Sequence, residues 1–127
     1  MIELREVSLR LKGQLVLRNI SLSIPRGGVF ALIGPGASGK SVLFKVIAGL
    51  LAVDKGEVRV DDERITDMPP LELARVRKKI GMLFQNNALF DHMNVSENIS
   101  FPLRRLFSYG EDELKSIVAE RLGRVSM

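Results

Sequence analysis

Cysteine and tryptophan are absent from the 127 residues, and tyrosine and histidine occur once each, as Tyr109 and His92. Without cysteine there can be no disulfide and no thiolate metal centre, which fits a reducing compartment. No apolar run approaches the ~20 residues that cross a bilayer. The first residues, Met1 to Glu6, alternate and carry charge, unlike a signal peptide. A cytoplasmic protein is expected, with any membrane association made through a partner.

What is present suits a packed core. The chain is 46% hydrophobic, well outside a disordered composition, and its length suggests one domain or a piece of one. A net charge of +4 fits either an acidic partner or a solvated basic surface. Nothing singles out a nucleic-acid partner.

Ile2, Leu4, Val7, Leu9 and Leu11 alternate with polar residues and predict a half-buried strand over 2–11. Lys12-Gly13-Gln14 predicts a turn, and Val16 to Ile24 a second strand, closed by Pro25 to Gly28. Val29 to Ile33 is continuously apolar between glycines, the pattern of a strand buried on both faces of a parallel sheet. Apolar residues at helical spacing then predict a helix over 38–51. A short strand over 57–60 follows, then a charged helix opened by Pro69-Pro70, then a second apolar strand, Ile80 to Phe84. Gln85-Asn86-Asn87 breaks that strand. A short helix over 95–103 is expected to stop near Pro102. A last helix over 108–125 carries capping-box spacing at Ser108 and Glu111, with Leu114, Ile117, Val118, Leu122 and Val125 as its apolar stripe.

The strongest chemical signal is Gly34-Pro35-Gly36-Ala37-Ser38-Gly39-Lys40-Ser41, which fits G-x-x-x-x-G-K-[ST] at every fixed position. Accidental matches occur on the order of once in a few hundred chains. Here the match lies between an apolar run and a helix, as the chemistry demands. The glycines let the backbone wrap a triphosphate, whose oxygens meet loop and helix N–H groups. Lys40 adds a full positive charge near the β and γ phosphates. The Ser41 hydroxyl is placed to ligate Mg²⁺. ATP with Mg²⁺ is the expected ligand.

The order of Val16 to Leu22, Gly34 to Ser41, Ile47 to Leu50, Gly56 to Val58 and Ile80 to Gln85 resembles the ATP-binding subunits of ABC transporters over essentially the whole chain. The resemblance implies an α/β fold: a P-loop NTPase core with an N-terminal antiparallel β layer, truncated at the start of the helical subdomain. It divides the chain into a β layer (1–28), a P-loop core (29–84) and the Q-loop with the start of the helical subdomain (85–127). It makes Gln85 the Q-loop glutamine, whose amide reaches Mg²⁺ or the attacking water; such an amide both donates and accepts. Lys40 and Gln85 are then the catalytic residues, Ser41 and Gln85 the metal residues, and Gly34 to Val42 the nucleotide-binding segment. The implied partners are a membrane permease, met through Gln85 to Leu103, and a second copy of the subunit. The implied place is the cytoplasmic face of the inner membrane, peripherally. Within the family, Gln85 to Asp91 and Phe101-Pro102-Leu103 look most like the ATPases of phospholipid-trafficking importers.

Several positions depart from the pattern. Val42 stands where the family usually has threonine, so one hydroxyl contact to phosphate is missing, worth about 1 kcal/mol. Leu11 lies where the family places an aromatic residue on adenine. No signature segment of the Leu-Ser-Gly-Gly-Gln type occurs. The acids after apolar runs, Asp54 and Asp61-Asp62-Glu63, follow a helix and a short strand instead of a buried strand. His92 comes too early for the family's switch histidine. The last helix runs to Met127 with no stop signal. The resulting expectation is the front part of an ATPase subunit that hydrolyses poorly alone. A non-catalytic nucleotide- or permease-binding module and a P-loop small-molecule kinase are the alternatives.

Overall fold

The computed structural model describes residues 1–85 and 88–127. The expected chain break at Asn86 and Asn87 lies outside the described residues. The chain forms two compact units, 1–82 and 83–127.

In the first unit, β1 (Ile2–Leu11) and β2 (Gln14–Ile24) form an antiparallel hairpin running from Leu11↔Gln14 to Ile2↔Ile24. Lys12 and Gly13 connect them, both at positive φ, as a two-residue hairpin turn between twisted strands requires. The other edge of β1 pairs antiparallel with β3 (Lys55–Val60), which pairs with β4 (Glu63–Arg64), giving the order β2-β1-β3-β4. The antiparallel layer therefore extends beyond residue 28.

The apolar positions of β1 slip phase between Leu4 and Val7, and those of β2 between Leu17 and Ile20. Strict alternation would turn half of each strand outward. The register shifts at these places, and Glu6 and Asn19 take up the extra residue at φ 51° and 48°. Serines satisfy the displaced amides: Glu6 N–H donates to Ser21 Oγ at 3.0 Å, and Asn19 N–H to Ser8 Oγ at 2.9 Å. Leu4, Val7, Leu9 and Leu17 thus all reach the core.

Helix α1 (Lys40–Ile47) closes that core with Leu43, Val46 and Ile47. It is shorter than the spacing predicted. Gly49 ends it at φ 66°, with Gly49 N–H donating to Val46 O and Leu50 N–H to Lys45 O, the paired bonds of a Schellman stop. Helix α2 (Pro70–Arg77) starts on its proline and buries Val76. Arg75 and Lys79 both reach the Glu63 carboxylate, and Arg77 donates to Gly49 O. Lys79, then Arg75, hold the Glu63 carboxyl below its ordinary value.

Two expected strands are absent. Residues 28–35 and 80–84 have no strand pairing, and Val29, Ile33 and Leu83 are 101%, 91% and 82% exposed. A strand apolar on both faces needs hydrogen-bonded neighbours on its edges and cover on each face. Among the described residues no strand flanks either segment.

In the second unit, α3 (Val95–Leu106) and α4 (Glu111–Gly123) pack through Leu103, Leu114 and Val118. Pro102 does not stop α3. It stands inside the helix despite its missing N–H and the crowding of its ring against the preceding turn, and Leu103 beside it is buried. The expected box at Ser108 and Glu111 does not form, because Gly110 is the N-cap and Glu111 instead pairs with Arg104. A capping box occurs at the start of α3: Glu97 N–H donates to Asn94 Oδ1 at 2.9 Å, and Asn94 N–H to Glu97 Oε2 at 2.8 Å.

Candidate phosphate-binding site

The loop 34–39 joins the unpaired segment 28–33 to α1. Ala37 and Gly39 take positive φ, 59° and 89°, which turns the chain into the helix. A Cβ at Gly39 would lie 3.2 Å from Val16 O and 3.3 Å from the Leu17 side chain. β2 is therefore packed directly behind the loop, and at φ 89° a side chain here would be both strained and crowded. A Cβ at Gly34 would lie 3.2 Å from Ser38 Oγ, whereas one at Gly36 would meet nothing within 4 Å. The loop is tight at its base and open at its crest, where Pro35, Gly36, Ala37 and Ser38 are exposed.

A Ser, Asp or Asn cap often satisfies a helix's first N–H groups, and acids in the first turn offset its positive end. α1, like α2 and α4, has no side-chain cap, and among the described helices it alone has no acid in its first turn. Its positive end is left for an anion. Lys40 folds back across the loop: Nζ donates to Gly34 O at 2.7 Å, Pro35 O at 2.5 Å and Ser38 Oγ at 3.2 Å. It forms no ion pair among the described residues. Its partners are neutral oxygens, and phosphate oxygens would be stronger ones. Ser41 is exposed and its hydroxyl has no partner among the described residues, as a hard ligand for Mg²⁺ requires. Val42 packs against the core, so its side chain is structural and its backbone N–H is what the helix end offers. Bare glycine, uncapped helix and unpaired ammonium together fit a triphosphate.

Gln85 lies in an exposed turn of the second unit. The sequence decoys have structural partners. Asp54 accepts Arg10 N–H at 2.6 Å, and Asp61 pairs with the N-terminal ammonium at 2.9 Å and Arg26 at 3.0 Å. A cavity of about 250 Å³ lies away from the loop, lined by Val46, Leu51, Val58, Ile65 and Leu73 among others. It is mostly apolar; the phosphate site is marked by its donors and not by depth. Sequence reasoning missed the backing of Gly39 by Val16 and Leu17, which no local spacing encodes.

The family model described as ABC transporter matches residues 17–127. This chain belongs to the ABC transporter ATPase family. It is 39% identical over all 127 residues to the intermembrane phospholipid transport system ATP-binding protein MlaF of Escherichia coli K12, and covers 47% of that protein. It is 38% identical over 112 residues, 88% of this chain, to the probable ribonucleotide transport ATP-binding protein mkl of Mycobacterium bovis, covering 31% of it. The chain thus spans half or less of the length of these curated relatives. Among solved structures, the dimeric post-hydrolysis ATP-binding cassette MJ0796 with ADP and Pi matches at TM-score 0.87 and 28% identity, over 97% of this chain and 56% of that one. The α/β architecture with its N-terminal antiparallel sheet is the one these cassettes share.

Proposed function

We propose that residues 34–42 hold ATP with Mg²⁺, and that the chain is the ATP-binding part of a transporter subunit driving phospholipid movement. The observation that carries the reading is the uncapped, acid-free start of α1 with Lys40 held over the loop only by neutral oxygens. Loop and helix amides take the β and γ phosphates, and Lys40 leaves its carbonyls for their charge. Ser41 supplies one oxygen to a magnesium ion, which neutralises phosphate charge when bound. Gln85 senses the γ-phosphate through its amide.

The cargo is read from the likeness to the phospholipid ATPase, which extends over the whole chain. The ribonucleotide-named relative makes cargo the finer part of the proposal. No described helix is long and apolar enough to cross a membrane. Attachment to the inner-membrane surface is therefore proposed to run through a permease. Its docking segment is 85–103, where Leu89, Phe90 and Val95 are 65%, 41% and 54% exposed. A second copy of the subunit is the proposed partner across the nucleotide, by analogy with the dimeric cassette.

Calorimetric titration of ATP with Mg²⁺ tests the site. Lys40→Ala should weaken binding by about 3 kcal/mol, on the order of a hundredfold, as the loss of charge-assisted bonds predicts. Equal affinity of the two proteins would overturn the assignment.

A further inference from the structure

In the segment proposed to meet the permease, one side chain makes four hydrogen bonds to the 90–94 turn. Asn98, in the second turn of α3, accepts Phe90 N–H on Oδ1 at 2.9 Å. Its Nδ2 donates to Phe90 O at 3.2 Å, Met93 O at 3.0 Å and Asn94 O at 3.1 Å. An amide is the one side-chain group that offers donor and acceptor in this fork. Within the turn itself, one backbone bond, Met93 N–H to Phe90 O at 3.1 Å, supplements it. The Phe90 ring then stands against Phe101 at 4.7 Å and His92 at 5.8 Å between centroids, while 41% of the residue remains exposed.

We infer that Asn98 is a positioning residue, whose hydrogen bonds set the 90–94 turn in the shape that receives an apolar face of the permease. The inference rests on the permease reading of this segment. It also specifies the partner's chemistry. At the start of α3 the Asn94 and Glu97 amides are taken up by the Asn94–Glu97 box and the Glu97 carboxylate stands in the first turn, so the turn has little to offer an anion. What it exposes is Leu89, Phe90 and Val95. The matching surface on the permease is apolar.

Asn98→Asp isolates the role. The carboxylate keeps an acceptor for Phe90 N–H but turns an anion toward three carbonyls. In membranes carrying the complete subunit with its permease, a photoreactive side chain at Met93 should label the permease. In Asn98→Asp that labelling should fall at least tenfold, with ATP affinity and helix content unchanged. Asn98→Ser, which keeps one donor and one acceptor, should fall between, and carries the test if the aspartate variant unfolds α3 and α4. Undiminished labelling in the folded variant overturns the role of Asn98 and leaves the docking segment standing. Absence of permease labelling in the protein without these changes, or labelling of lipid alone, overturns the docking segment itself.

Discussion

Single residues decide where the elements stop. Gly49 holds φ 66°, and a Cβ there would lie 2.8 Å from Leu73 Cδ1. Its carbonyl also accepts a bond from Arg77, so the end of α1 and the flank of α2 meet at one backbone position. Gly49→Ala should cost about 1–2 kcal/mol from the left-handed backbone, plus whatever Leu73 gives up in moving. Thermal unfolding followed by circular dichroism should show a midpoint lower by roughly 5–10 °C. An unchanged midpoint would mean that the helix end is not fixed by this residue. The loop motif was legible at the same scale, because its fixed positions, Gly34, Gly39, Lys40 and Ser41, all lie within eight residues of sequence.

Elements are tied by groups the sequence does not juxtapose. β4 has two residues and α2 buries one, so packing alone holds them weakly. Glu63 joins them by accepting from Lys79 at 2.7 Å and from Arg75. Its carboxyl is shifted below its ordinary 4.5, first by Lys79 and then by Arg75. A lowered folded-state value means the unfolded chain binds the proton more tightly. The contribution is therefore fully present above the ordinary value and is lost as pH falls through the folded one. Glu63→Gln should lower the unfolding midpoint at neutral pH, and the gap between the two proteins should close below about pH 4.5. A gap that persists undiminished in acid would show that the ion pairs do not carry it.

At the scale of the whole molecule, three of the acids that follow apolar runs, Asp54, Asp61 and Glu63, have structural tasks. Asp54 is taken up by Arg10 N–H, Asp61 by the chain terminus and Arg26, and Glu63 by α2. Positioned acid–base groups are a main source of enzymatic acceleration. The 127-residue chain is therefore expected to bind ATP yet release phosphate at under ~0.1 per second, far below the ~10 per second typical of enzymes. A phosphate-release assay giving ~1 per second or faster would overturn this.

The sequence by itself determined the hairpin, the loop motif and the buried positions Leu43, Val46 and Ile47 of α1 and Leu114 and Val118 of α4, because each is written in neighbouring residues; Val125, expected in the α4 stripe, lies beyond the helix and is 64% exposed. Even the bulges were present as phase slips, Leu4 to Val7 and Leu17 to Ile20, although alternation alone does not say which residue is extruded. Tertiary structure decided what depends on distant partners. Val29 to Ile33 has a buried strand's composition, yet pairing is a property of neighbours, and it stands exposed without them. Glu111 has capping-box spacing with Ser108 but joins Arg104, whose guanidinium the fold brings within reach. Pro102 carries a stop signal, yet α3 runs through it to Leu106 with Ser100 and Leu103 buried on either side, because burial depends on what packs against the helix and is not written in the local spacing.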